Sequence, residues 1–170
     1  MPLLPPLGAE IPCSTLADAK LEYAGRTLAL SFRGGIKQRI DVNPENPEKS
    51  VRLRVVGFKM SADTESMTVT LEQNDVDVDA PSSLRITQQS PPQFEQIDVL
   101  PFTATIEQTD GGAPVVLTAK KPMILIGQTT QFPPHGQLYQ LGYPVELVAP
   151  EDPGTAVGRI TAFNCKKGGL

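Results

Sequence analysis

The sequence predicts an all-β domain, an antiparallel sandwich or flattened barrel of about ten short strands. Three observations predict this class. Apolar residues mostly alternate with polar ones at a period of two, as in a half-buried strand, and no segment shows a long helical stripe. The 170 residues include 17 prolines and 14 glycines, which favour short elements joined by marked turns. Turn signals recur about every eight to twelve residues, as they do between the strands of such folds.

A loose internal repeat organises the second half of the chain. Residues 86–116 run from an Ile-Thr-Gln segment through a Pro-Pro loop, a proline beside an aromatic residue and an Asp-Gly turn to an apolar segment. Residues 126–157 follow a similar order at an offset of about 42 residues. The pattern indicates a duplicated unit of strand, Pro-Pro loop, strand, turn and strand. Two hairpins of similar length within one β-domain are the alternative interpretation.

The length of the chain points to one domain with a sizeable core. Residues 1–13 are Pro-rich and lack periodicity, and they are predicted to form an extended N-terminal arm. Residues 14–165 form the single β-domain, and residues 166–170 form a flexible C-terminal tail.

The first strands are predicted from local patterns. A hairpin is expected from Lys20 onward, preceded by at most one helical turn that Ser14 or Thr15 would cap. Gly34-Gly35 is expected to form a turn. Residues 51–55 alternate cleanly and predict a strand with its two arginines facing solvent.

Strand parity fails at two later points, which indicates bulges or bends. Apolar parity resets near Gln73–Asp75, and it flips at Pro101, which cannot donate a ladder hydrogen bond. Asp110–Gly112 predicts a hairpin turn. Residues 123–126 are apolar throughout and predict a central strand buried on both faces, and residues 139–147 alternate as one strand.

Charge and cysteine content exclude several classes of protein. The net charge is −4, and no cluster of basic residues provides a footprint for nucleic acid. The N-terminus lacks the pattern of a signal peptide and no stretch is long enough to span a membrane as a helix, so a cytoplasmic protein without membrane contact is expected. In that compartment Cys13 and Cys165 are expected to be reduced, with a disulfide as the alternative.

Motifs for metal or cofactor binding are weak. Asp75, Asp77 and Asp79 could offer oxygen ligands to calcium, but they lack the spacing of a calcium loop, and a solvated strand face is favoured. One histidine and two distant cysteines do not make a zinc site. The sequence has no P-loop, dinucleotide fingerprint or nucleophile elbow. No metal and no cofactor are predicted.

The candidate ligand-binding residues lie in one short segment. Polar and aromatic loops at a barrel mouth are common ligand sites, and tyrosine combines an apolar ring with a polar tip. Tyr139 and Tyr143 share strand parity and should face the same side. A solvated histidine and tyrosines that fill a solid core are the alternative. The predicted binding residues are Gln131, Phe132, His135, Gln137, Tyr139 and Tyr143.

Two functional hypotheses follow from these features. In the first, an apolar pocket binds a small organic ligand, and the protein could be a cyclase or isomerase that works without a cofactor by orienting its substrate. In the second, the domain is a non-catalytic β-sandwich that binds a protein through edge strands or the Pro-rich arm. The sequence determines neither catalytic residues nor an oligomeric state.

Overall fold

In a computed structural model that describes residues 4–74 and 82–168, the chain forms twelve antiparallel strands in one sheet. The prediction of an all-β fold is confirmed, with twelve strands in the described residues where about ten were expected. The Asp75, Asp77 and Asp79 set lies outside these residues. The strands are β1 (Glu10–Tyr23), β2 (Arg26–Val42), β3 (Ser50–Asp63), β4 (Met67–Gln73), β5 (Ser83–Gln89), β6 (Pro92–Leu100), β7 (Phe102–Gln108), β8 (Val115–Ala119), β9 (Met123–Thr129), β10 (Gln137–Leu141), β11 (Val145–Ala149) and β12 (Asp152–Lys167).

The sheet closes into an up-and-down barrel. β1 pairs with both β2 and β12, so the first and last strands meet. Four long strands, β1, β2, β3 and β12, run along the whole barrel. At each of the other four positions around the barrel, two short strands follow one another end to end: β4 and β5, β6 and β7, β8 and β9, and β10 and β11. The closed ring therefore has eight strand positions.

The short strands divide the barrel into two halves. The first half contains β4, β7, β8 and β11, and the second half contains β5, β6, β9 and β10. β3 pairs with β4 near one end and with β5 near the other, and β12 divides in the same way between β11 and β10. Both halves therefore contain parts of the same four long strands, β1, β2, β3 and β12.

Prolines mark the breaks between the short strands. Pro101 alone separates β6 from β7, Pro122 precedes β9, and Pro144 precedes β11. Because proline cannot donate a ladder hydrogen bond, a continuous strand is interrupted at each position. The predicted bend at Pro101 lies at one of these breaks. The predicted single strand over residues 139–147 is wrong, because residues 142–144 separate β10 from β11.

The long strands bend by other means. Gly34-Gly35 lies inside β2, so the predicted turn there is wrong. A Cβ atom on Gly34 would overlap the backbone carbonyl of Lys59 in β3, which shows that the two strands approach unusually closely at this point. The register also shifts next to Lys37 in the β2–β3 ladder and next to Lys20 in the β1–β12 ladder.

The repeat corresponds to successive strands of the meander. In both segments a Pro-Pro loop joins two strands of the second half, a break at a proline leads into a strand of the first half, and a turn leads to the next strand. The first segment uses β5 to β8 and the second uses β9 to β12. The Ser90–Pro91 and Phe132–Pro133 peptide bonds of these loops are both cis.

The strand boundaries differ from the predicted domain limits at both ends. β1 begins at Glu10, inside the segment predicted to be an arm, because residues 10–13 pair with β2. β12 continues to Lys167, beyond residue 165, because its last residues pair with β1 and β10. Ser14 lies within β1, so the helical turn is replaced by a strand.

Two apolar clusters fill different parts of the barrel. The larger cluster occupies the first half and the middle, with Phe32, Phe102 and Phe163 among its buried side chains. The smaller cluster lies in the second half, where it includes Leu84 and Phe94. Leu125 of β9 is buried, as predicted, but Ile126 is 40% exposed, so this strand is buried on one face only.

Candidate functional site

A cluster of polar side chains occupies the interior of the second half. Its members are at most 3% exposed. They come from four strands, and each takes an inward position that an apolar residue would normally fill, as Gln38 does between Ile36 and Ile40. We call this group the polar cluster, and its members are Gln38, Gln96, Asp98, Tyr139 and Lys167.

Asp98 is the centre of the polar cluster. Its Oδ1 atom accepts hydrogen bonds from the Gln38 amide at 2.9 Å and from the Gln96 amide at 3.1 Å. Its Oδ2 atom faces the Nζ atom of Lys167, with which it forms a buried ion pair. The two amides hold one oxygen of the carboxylate, and the other oxygen is directed at the amine.

Tyr139 lies on the other side of the polar cluster. Its hydroxyl donates a hydrogen bond to Oε1 of Gln96, and Lys167 Nζ lies 4.4 Å from the centroid of its ring. The ring packs directly over the backbone of Gly127 in β9, where a Cβ atom would lie 2.5 Å from a ring carbon. Gly127 therefore makes the space that the tyrosine ring fills.

Burial changes the acid–base properties of these groups. Burial lowers the pKa of Lys167 to about 7, although the neighbouring Cys13 raises it. The carboxylate of Asp98 also favours the charged amine, so desolvation and pairing oppose one another at this site. Burial raises the pKa of Tyr139 and raises that of Cys165 to about 12. Burial raises the pKa of Cys13 as well, against the opposing effect of Lys167.

The wall of the barrel opens next to Lys167. The ladder between β1 and β12 ends at the pair Thr15–Lys167, whereas β1 itself begins at Glu10. A cleft of about 380 Å³ lies at this point, between the start of β1, the β9–β10 loop and the end of β12. We call it the wall cleft. Its lining includes Cys13, Gln131, His135 and Gly168.

The hydroxyl of Thr15 lacks a partner beside this opening. Thr15 is 4% exposed and is the residue of β1 that pairs with Lys167. Among the described residues, its Oγ1 atom has no hydrogen-bond partner. An unpartnered buried hydroxyl is costly, so it marks a place where a further polar atom could bind.

The structure distributes the predicted binding residues over several places. Gln131 and His135 line the wall cleft, and Phe132 packs against the smaller apolar cluster. Gln137 accepts a hydrogen bond from the backbone amide of His135. Tyr139 belongs to the polar cluster.

Tyr143 lies apart from this group. It falls in the break between β10 and β11, and its hydroxyl donates a hydrogen bond to the carbonyl of Pro122. It lines a different cleft, together with Lys120, Lys121 and Arg159. The strand expected to carry both tyrosines is interrupted between them, and Tyr143 packs against the larger apolar cluster to which Tyr139 belongs.

Sequence reasoning missed Gln38, Gln96, Asp98 and Lys167. A signal for three of them was present, because Gln38, Gln96 and Asp98 stand at inward-facing positions among apolar residues of β2 and β6. Lys167 gave no such signal, since its strand was expected to end before it. Cys13 and Cys165 are both free thiols.

The part of the chain that the structure describes contains neither a metal-binding group nor a membrane-spanning helix. Residues 4–74 and 82–168 contain no group of three or more His, Cys, Asp or Glu side chains placed to hold a metal ion. No helix in the same residues is long and apolar enough to cross a membrane.

Comparison with known proteins identifies a fold but no family. No family model matches the chain, and no curated protein matches it. A solved structure that is similar is that of DynF from the dynemicin biosynthesis pathway of Micromonospora chersina. The alignment covers 100% of this chain and 84% of the DynF chain, with a TM-score of 0.74 and 17% sequence identity. The chain is therefore similar to DynF in its β-barrel fold.

Proposed function

We propose that this protein binds a small organic molecule in the second half of the barrel and admits it through the wall cleft. The observation that carries the proposal is the polar cluster, a buried ion pair with three hydrogen-bonding side chains. Its Lys167 directly precedes Gly168, which lines the wall cleft. A buried ion pair stabilises a fold no better than apolar residues of similar size do. Such groups near a concave opening are typical of binding sites.

The surroundings indicate the chemical nature of the ligand. Leu84, Phe94 and other apolar residues flank the polar cluster inside the second half. Thr15 and Lys167 are partners in the β1–β12 ladder and are next in sequence to the cleft-lining residues Ser14 and Gly168. The Thr15 hydroxyl has no partner among the described residues. A ligand with an apolar body and one oxygen-bearing group would complement both surfaces.

A catalytic role fits the same site. Lys167, Asp98 and Tyr139 can exchange protons, and a barrel that holds a flexible substrate in one conformation could promote its cyclisation or isomerisation without a cofactor. DynF, the structural neighbour, comes from a biosynthetic pathway, which is compatible with such a role.

The alternative of a protein-interaction domain has less support. Each of the twelve strands in the described residues has hydrogen-bonded neighbours on both sides, so none offers a complete free edge. Exposed large apolar side chains such as Leu7, Val116 and Val157 lie on separate elements.

Native mass spectrometry of protein purified from its own host tests the proposal. We expect a retained small molecule in the wild type and its loss in Cys13→Phe, which places a large ring in the wall cleft. Val157→Phe, at a position that is already 41% exposed, is the matched control and should retain the molecule. Circular dichroism must show that both variants are folded. The proposal is contradicted if the folded wild type retains no molecule and also takes none up from a host metabolite extract.

A further inference from the structure

We propose that Lys167 is a nucleophilic amine that forms an imine with an aldehyde or ketone group of the bound molecule. This inference rests on the proposed function, because it requires a small molecule in the second half of the barrel. It adds the chemical class of that molecule and the atom to which it binds.

Lys167 directly precedes a residue that lines the wall cleft, and its amine is buried. Lys167 is the last residue of β12, and the β1–β12 ladder ends at this residue. The next residue, Gly168, lines the cleft, and so does Cys13, which is close enough to influence the charge on the amine. A carbonyl compound in the cleft would lie next to the end of β12 and would have to pass the lining to reach the buried amine.

Asp98 is placed to move the proton that imine formation requires. A lysine attacks a carbonyl only as the neutral amine, so its ammonium proton needs an acceptor. Oδ1 of Asp98 is already held by Gln38 and Gln96, whereas Oδ2 faces Nζ of Lys167. This oxygen can take the proton from the ammonium group and return it during the reaction.

The environment of Lys167 favours the neutral amine. The side chain is almost completely buried between Asp98 and the ring of Tyr139. Burial lowers the pKa of Lys167 and so raises the neutral fraction of the amine, against the opposing effect of the Asp98 carboxylate. An ordinary lysine at about pH 7 is neutral in roughly one molecule in 2,500.

The reaction balances without an oxidant or reductant. The Nζ lone pair forms a bond to the carbonyl carbon, and the π electrons of the carbonyl move to its oxygen, which takes a proton from the attacking nitrogen. The resulting carbinolamine loses this oxygen as water, with Asp98 returning the proton taken from Lys167, and a carbon–nitrogen double bond forms. In total, one ammonium group and one carbonyl group give one protonated imine and one water.

Thr15 supplies a hydrogen bond where the carbonyl oxygen would lie. It is opposite Lys167 in the β1–β12 ladder, and its buried Oγ1 atom has no partner among the described residues. A hydroxyl at this point can donate to the developing alkoxide of the carbinolamine. The purely structural alternative, in which the ion pair only fixes the end of β12, leaves this hydroxyl unexplained.

Reductive trapping tests the inference. The folded protein is treated near neutral pH with propanal, hexanal or benzaldehyde in the presence of sodium cyanoborohydride, and modified lysines are mapped by mass spectrometry of peptides. Lys166, the exposed neighbour of Lys167, is the internal control. We expect at least one aldehyde to label Lys167 at least about tenfold faster than Lys166, in line with its larger neutral fraction.

Variants and a non-reactive analogue complete the test. Lys167→Met should abolish the fast adduct and Lys166→Met should retain it. If Lys167→Met does not fold, the peptide map of the wild type decides the question. Equal or slower labelling of Lys167 with all three aldehydes overturns the inference. Binding of hexan-1-ol, which cannot form an imine, is measured in parallel by native mass spectrometry. Binding without labelling would contradict the imine and leave the proposed small-molecule function standing.

Discussion

Asp98 and Lys167 form a buried ion pair at the centre of the polar cluster. Each is buried, and the contact between Oδ2 and Nζ compensates for the loss of water around both charges. Removing one partner of a buried pair leaves an uncompensated charge, which typically costs about 3–5 kcal/mol. Removing both charges together avoids that cost.

A double-mutant cycle should reveal this coupling. We expect Lys167→Met to lower the free energy of unfolding by about 3–5 kcal/mol. The double variant Asp98→Asn/Lys167→Met should lose less than Lys167→Met alone, because neither charge remains. Urea denaturation measures the free energy of unfolding of the wild type, of the two single variants Asp98→Asn and Lys167→Met, and of the double variant. If the two single losses simply add in the double variant, the residues are not coupled and the ion pair is not maintained in solution.

The stability of the protein should depend on pH in two opposite ways. The pKa of Lys167 is lowered from 10.5 to about 7, so above about pH 7 the unfolded chain binds more protons and stability rises with pH. The pKa of Cys165 is raised from 9.0 to about 12, so above pH 9.0 the folded chain retains a proton that the unfolded chain loses. Cys13 and Tyr139, whose pKa values are also raised, act in the same direction as Cys165.

We therefore expect the free energy of unfolding to rise between about pH 7 and 9 and then to stop rising. The slope of the rise is at most about 1.4 kcal/mol per pH unit, the value for one proton. Urea denaturation across this range measures it. The Asp98→Asn/Lys167→Met variant should lack the rise. A wild-type stability that is flat or falls over this interval would show that Asp98 keeps Lys167 fully charged.

Gly127 should tolerate no side chain. A Cβ atom there would lie 2.5–2.8 Å from three carbons of the Tyr139 ring, which cannot move without breaking its contacts with Gln96 and Lys167. We expect Gly127→Ala to cost about 1–3 kcal/mol of stability through overpacking. Gly154→Ala is the matched control, since its Cβ atom would meet only a carboxylate oxygen at 3.9 Å. Equal melting temperatures for the two variants would contradict the packing of the ring over Gly127.

The residues of the site were only partly predictable from sequence. The segment around His135 was identified because it concentrates the only histidine, a Pro-Pro loop and two tyrosines. Its partners lie far away in sequence: Gln96 is 43 residues from Tyr139 and Gln38 is 60 residues from Asp98. Alternation shows which residues of a strand point inward, but the register and ring closure determine which inward residues meet.

At the scale of single elements, one strand combines two different faces. β9 was expected to be buried on both sides because Met123–Ile126 is entirely apolar. In the barrel its inner face carries Met123 and Leu125, whereas Ile126 lies on the outer face. An apolar run therefore overstates burial when one side of the sheet faces solvent.

Adjacent residues of β9 should accordingly respond differently to truncation. We expect Leu125→Ala, which empties a fully buried site, to cost about 2–5 kcal/mol. Ile126→Ala, which removes a side chain that is 40% exposed, should cost less than about 1 kcal/mol. Chemical denaturation gives both values. A loss below about 1 kcal/mol for Leu125→Ala would show that β9 is not part of the core.

Breaks within strands were the hardest elements to place. Pro101 disturbed the alternation and could be recognised as a bend. Gly142–Pro144 did not disturb it, because the residues on both sides keep the same parity. Gly34-Gly35 has the composition of a turn, but the close approach to Lys59 requires glycine inside a continuous strand. Composition alone does not distinguish a glycine in a strand break, such as Gly142, from glycines inside a continuous strand, such as Gly34-Gly35.

At the scale of the whole molecule, the two halves of the barrel cannot be separated. β1, β2, β3 and β12 each run through both halves, so loss of any of them opens both. We expect a single cooperative unfolding transition, in which tyrosine fluorescence and far-UV circular dichroism follow the same denaturation curve. Two resolved transitions would show that the halves unfold independently and would contradict the sharing of the long strands.

Closure of the barrel also determines when the proposed binding site forms. The seam joins β1 to β12, the first and twelfth strands in chain order, so it forms between segments that are far apart in sequence. Lys167 lies at the end of that seam and enters the interior only as β12 takes its place. In a partly folded chain the amine would not yet lie inside the barrel, and neither the Thr15–Lys167 pair nor the wall cleft would have formed. Ligand binding would then require a completely closed barrel, and retention of a ligand would report that folding is finished.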